Sequence, residues 1–156
     1  MRTAKAVIRY VLAMTVAATI LSVSLVAVEY TASERAETDV ETAIHELDST
    51  ATELYESEPL AERGQQPPRR MVTLSLPTDG IGSIGVDTFA VQSGTNGTSQ
   101  VEYRLDDGEK QTQHLSVPVV VKSDVPLDMS DARGDVHLSL TLIEHEGAPT
   151  VVVERV

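Results

Sequence analysis

The sequence predicts an α+β protein: an N-terminal transmembrane helix, continued by an acidic amphipathic helix, then a small antiparallel β-sheet or sandwich. Three observations carry this reading. Residues 10–28 hold no charge, no Pro and no Gly. Residues 29–63 repeat apolar positions at helical spacing among many acids. From Met71 onward the apolar period changes to two.

The first nine residues carry Arg2, Lys5 and Arg9 and no acid. Tyr10 to Val28 then runs YVLAMTVAATILSVSLVAV. As a helix it measures about 28 Å, near the ~30 Å hydrocarbon thickness of a bilayer. Basic flanks stay in the cytoplasm, so the sequence places residues 1–9 inside, a single-pass helix at 10–28, and the remainder outside the cell. A secretory signal peptide shares the basic start, but its apolar run is shorter, and Val26-Ala27-Val28-Glu29 offers no small-x-small cleavage site. The partner implied is the lipid bilayer.

Charge divides the same way. Residues 29–156 contain nine basic and 24 acidic residues, net −15, within a chain of net −12. Phosphate backbones would repel such a surface, which excludes nucleic-acid binding by charge. The basic residues are nine Arg and only three Lys, aromatics are four Tyr and one Phe, and Ala and Val are abundant. That composition fits a halophilic protein, because concentrated salt screens the self-repulsion. With no Cys, no disulfide supports the exported part.

Residues 29–63 are expected to form an acidic helical stalk. Val40, Ile44, Leu47, Ala51 and Leu54 follow a 4-3-4-3 spacing, the seam of an amphipathic helix. Two partners fit this seam equally: the chain's own β domain, or another protomer through self-association. Glu58-Pro59 and Gly64 to Pro68 end the helix, and residues 64–70 read as a Pro/Arg linker. An extracellular β domain over 71–156 follows. Val72, Leu74 and Leu76 alternate with polar residues, Val86 to Val91 forms a second strand, and Val101, Tyr103 and Leu105 a third. A three-residue loop, Asp107 to Glu109, would pair Val101 with Leu115 and Tyr103 with Gln113. Val136 to Leu142 and Val151 to Val153 complete six or seven short strands.

Candidate sites are few. Glu144-His145-Glu146 offers one imidazole where a metal centre needs several converging donors. His45, His114 and His137 read as solvated. Asp124, Asp128, Asp131 and Asp135 lack the spacing of a calcium loop. No Gly-x-Ser-x-Gly elbow, Ser-x-x-Lys or phosphate-cradling loop occurs. No catalytic, metal or cofactor residue is nominated, no cofactor is expected, and the protein is read as no enzyme. Asn96-Gly97-Thr98 is an N-glycosylation sequon in a Gly-rich turn, which makes Asn96 a modification candidate.

Lys5-Ala6-Val7-Ile8 resembles the processing site of archaeal type IV pilin-like precursors, where a peptidase cuts after the small residue, here Ala6. Arg9 departs from that pattern, and the glutamate common soon after the cut in bacterial pilins is missing. The layout as a whole resembles small single-pass proteins of haloarchaea: Arg9-Tyr10-Val11-Leu12-Ala13, an acidic helix, then Pro67-Pro68-Arg69-Arg70-Met71-Val72-Thr73-Leu74-Ser75-Leu76-Pro77. The resemblance brings no catalytic motif. It implies a link to type IV pilus-like or secretion systems, hence a non-enzymatic surface protein acting as an accessory or minor pilin-like component. The alternative is an extracellular binding or sensing domain on a simple anchor.

Overall fold

Among the described residues of the computed structural model, one helix and eight strands make up the fold. The structure describes residues 2–62, 64–80, 83–93, 98–106, 108–122, 126–130 and 134–156, with α1 side chains described at 12–19 and from 31 onward. Helix α1 (Arg2–Ser57) is unbroken. It stops just before Glu58, the residue ahead of Pro59, because proline disfavours the α conformation of its predecessor. The helix is therefore six residues shorter than the 29–63 stalk expected, and the connection to the first strand covers 58–68.

Strands β1 (Arg69–Leu76), β7 (Gly134–His145), β8 (Ala148–Arg155) and β5 (Val119–Val121) form one four-stranded sheet in the order β1-β7-β8-β5. Strands β4 (Gln111–Leu115), β3 (Ser99–Leu105), β2 (Val86–Ser93) and β6 (Leu127–Asp128) form a second, in the order β4-β3-β2-β6. The inward residues Leu74, Leu138, Leu140, Val151, Phe89, Val91 and Val101 share one core with the helix residues Val40, Ile44, Leu47 and Leu54. At the β7–β8 hairpin, Glu146 (φ 53°) and Gly147 (φ 82°) are both left-handed and His145 pairs with Ala148, giving a two-residue turn of the kind whose twist matches that of the strands.

The helix closes the gap between the sheets on one side. Its Glu37 accepts a hydrogen bond from Gln111 at the start of β4, and its Asp48 accepts two from Ser116 just past the end of that strand. Eleven helical residues rise about 16 Å, matching about 17 Å for the strand residues from 111 to 116. Side-chain hydrogen bonds thus tie the helix to both ends of β4. On its other flank it meets β1, where Arg70 pairs with Glu53 at 2.7 Å and Glu58 at 3.6 Å. The helix packs over β1, the edge strand of the first sheet, which blunts it for pairing with other chains.

The opposite side is closed by β5, which lies parallel to β8 and near β2. In a parallel ladder alternate residues turn their backbone groups away from the neighbour. The groups of Val119 that face away from β8 meet the buried Ser99 hydroxyl: Val119 N donates to Ser99 Oγ (2.6 Å), and Ser99 Oγ donates to Val119 O (2.8 Å). One side chain stands in for a missing strand.

Four expectations change. First, among the described residues no helix is long and apolar enough to cross a membrane. The transmembrane helix at 10–28 is accordingly removed from the fold class, which becomes a long helix with two four-stranded sheets. Second, all five seam residues, Val40, Ile44, Leu47, Ala51 and Leu54, are fully buried in the chain's own core. Of the two partners weighed for the seam, the chain's own sheets are the surface that covers it in this fold. Third, Val101 faces Gln113 and Tyr103 faces Gln111, so the β3–β4 register slips two residues from the three-residue loop expected. Face parity survives because the slip is even. Fourth, β5 and β6 were not foreseen, and β5 makes the first sheet mixed rather than purely antiparallel.

Candidate functional site

The described surface offers shallow, polar depressions and two organised side-chain groups. The first group lies where α1 meets the β3–β4 hairpin. Tyr103 is buried by the helix, its hydroxyl 3.3 Å from Gln111 Oε1, while Gln111 Nε2 donates to Glu37 (3.0 Å). Ser33, Asp106 and Glu109 join them around a cavity of about 330 Å³. Burial raises the Tyr103 pKa above the ordinary phenol range, and the carboxylates of Glu37 and Glu41 push it further in the same direction. The folded state holds the proton more tightly than the unfolded chain. The contribution of Tyr103 to stability is therefore complete below the ordinary phenol pKa and lost as the pH rises through the raised one. Phenolate absorbance during an alkaline titration should show a step above the ordinary phenol range that is missing in Tyr103→Phe. An unchanged titration curve in that variant would contradict the packing of α1 over β3.

A second cavity, about 280 Å³, lies between Asp39, Thr42 and Glu46 of α1 and Ser75, Leu76 and Pro77 at the end of β1. A third, about 340 Å³, adjoins the ion pair of Arg104 with Asp87. Ligand sites of this size are normally lined by apolar and aromatic groups with a few placed polar ones. The first two mix carboxylates and hydroxyls with apolar groups, and the third is lined by Asp87, Arg104, Asp106 and Gly108.

The second group was not legible in the sequence. On the outer face of the first sheet, register places Thr73 opposite His137 and Ser75 opposite Asp135. Thr73 Oγ1 lies 3.0 Å from His137 Nδ1, and the Ser75 hydroxyl donates to Asp135 at 2.8 Å. A hydroxyl beside an imidazole is the first requirement of nucleophilic catalysis. The further requirements are a carboxylate orienting the second ring nitrogen, donors for an oxyanion and exclusion of water. Here Asp135 is bonded to Ser75, and all four side chains stand exposed on a flat sheet face. The arrangement can order the surface of the sheet; it is not built to perform acyl transfer. Strand alternation marks these residues as outward, but only the β1–β7 register brings them together.

Among the described residues no group of three or more His, Asp or Glu side chains could hold a metal ion. His145 sits at the β7–β8 turn, and Asp128 is exposed, its carboxylate accepting bonds from the Ser130 hydroxyl and amide, which lower its pKa. Asn96, Asp124 and Asp131 lie outside the described residues. Lys5, Ala6 and Val7 are part of α1, and their side chains likewise lie outside the described set.

A family described as a domain of unknown function, DUF7311, matches residues 7–156. The chain belongs to this family. The match takes in the protruding part of α1 as well as the β domain, so both are parts of one family unit. No curated protein and no solved structure matches the chain.

Proposed function

We propose that this DUF7311 protein is a non-enzymatic surface protein that works by assembly, the pilin-like accessory role implied by the resemblance described above. The observation that carries the reading is the protruding half of α1. The head covers the helix from Ala32 to Leu54. The preceding residues, 2–31, extend about 45 Å beyond that contact. Every described side chain from Leu12 to Thr19 is exposed, with Leu12 at 65%, Met14 at 77% and Val16 at 51%. These residues belong to a 19-residue stretch without one charge. A contiguous apolar surface of this kind is rare on a monomer and marks an interaction site. The occupant proposed is the same tract of further copies, packed as a helical bundle, while the acidic heads repel one another and stay apart. High salt, which shortens the Debye length to roughly 3 Å at 1 M, favours the bundle by screening the heads.

Velocity sedimentation of the full chain tests this reading. The wild type should sediment as oligomers, more so as salt is raised. Leu12→Glu combined with Val16→Glu should sediment as monomer with an unchanged melting temperature, because neither side chain touches the core. A wild type that stays monomeric over the whole concentration and salt range, or a double variant that assembles equally well, would overturn the proposal.

A further inference from the structure

The helix that carries the protruding tract is the same helix that completes the core of the head, with no loop between the two roles. We propose that α1 is a torsionally fixed strut: it sets the rotational orientation of the β head about the axis of the protruding tract, so the head presents the same faces to its surroundings in every copy. The use made of this orientation rests on the assembly reading above; the strut itself does not.

Three observations point to it. First, residues 2–57 contain neither Gly nor Pro, and α1 is continuous over that length. Helices bend sharply at proline, at Gly/Ser pairs or at bulges, and the helix contains none of them. Second, the head cannot roll about the helix. Glu37 is held by Gln111, Asp48 by Ser116 and Glu53 by Arg70, three polar ties spread over sixteen residues, on both the β4 and the β1 flank. The fully buried Val40, Ile44, Leu47 and Leu54 fix the remaining face by packing. Third, the phase runs straight through the exit point. Eighteen residues make five turns, so Met14 lies directly beneath Ala32, and Ala18 beneath Ala36. Ala32 and Ala36 are buried against the head, whereas Met14 and Ala18 are exposed. The stripe through Met14 and Ala18 is therefore the one overhung by the head, and Ala13 and Val16 lie on the side turned away from it. A partner helix approaching from that far side avoids the head.

The chain has no cysteine, so introduced pairs can be spin-labelled without ambiguity. Thr19→Cys on the protruding tract and Thr112→Cys on β4 are both exposed positions. Distances would be measured by pulsed electron resonance on doubly labelled full chain diluted with unlabelled chain. The strut predicts one narrow distance distribution. Two alanines inserted between Tyr30 and Thr31 rotate the tract by about 200° and lengthen it by about 3 Å. The peak should then move by several Å, to about 10 Å at most given the helix diameter, and remain narrow. Three glycines at the same place should broaden it. A broad distribution in the wild type, or an alanine insertion that leaves the peak unmoved, overturns the strut. Sedimentation separates the two proposals. A narrow peak in a chain that never oligomerises sinks the assembly reading and keeps the strut. A strut whose two-alanine and three-glycine insertions both assemble like the wild type overturns the claim that assembly uses the orientation.

Discussion

Leu47→Asp should abolish the cooperative melting of the head. Leu47 is fully buried at the middle of the α1 seam, among residues of both sheets. Truncating a buried leucine costs about 2–5 kcal/mol through lost transfer energy and the cavity left behind. A carboxylate placed among these apolar side chains adds several kcal/mol more unless it takes up a proton. Together these consume most of a stability of roughly 5–15 kcal/mol. The consequence extends beyond the core. If α1 lifts away, the edge of β1 opens, so the variant should aggregate as well as unfold. Glu46→Gln, one residue away but exposed, should stay within about 0.5 kcal/mol of wild type. Thermal melts followed by circular dichroism compare the two, and a cooperative wild-type-like melt for Leu47→Asp would mean that the helix is not part of the head.

Ser99→Ala should be the most damaging loss of a single hydroxyl. The Ser99 side chain satisfies both backbone groups of Val119 that turn away from β8, and both residues are buried. Removing it leaves a buried N–H and a buried C=O without partners, each costing about 1–3 kcal/mol. We expect a loss of about 2–4 kcal/mol, read as a lower midpoint in urea with unchanged slope. Ser116→Ala, which breaks an exposed tie to Asp48, should cost less than half as much. Equal costs for the two variants would show that β5 is held by β8 alone.

The helix seam and the main strands were legible because burial of one face imposes a period that the sequence must repeat. Val40, Ile44, Leu47, Ala51 and Leu54 announce a buried helix face, and Val136, Leu138, Leu140 and Leu142 a strand face. What the period cannot state is which surface covers the face, so the seam fitted a second protomer as well as the chain's own sheets. Register was lost for a related reason. The β3–β4 hairpin slips by two residues without moving any side chain across the sheet, so alternation does not distinguish the two pairings. Strand β5, three valines after Pro118, is too short to show a period, and its parallel pairing with the C-terminal strand is a long-range event. The Thr73–His137 contact depends on register between segments 64 residues apart and left no local trace. The N-terminal tract was read correctly as uncharged and apolar; its assignment as a membrane crossing went beyond what the described helix supports.

Amide hydrogen exchange along α1, in wild-type full chain and in the Leu12→Glu/Val16→Glu variant, tests the account most directly. The account predicts that amides from Val40 to Leu54 exchange only through global unfolding, and equally in both proteins, because they belong to the head core. Amides from Leu12 to Thr19 should be protected in the assembled wild type and exchange rapidly in the dispersed variant. Fast exchange at 12–19 in both proteins, or weak protection at 40–54 in the wild type, would contradict it.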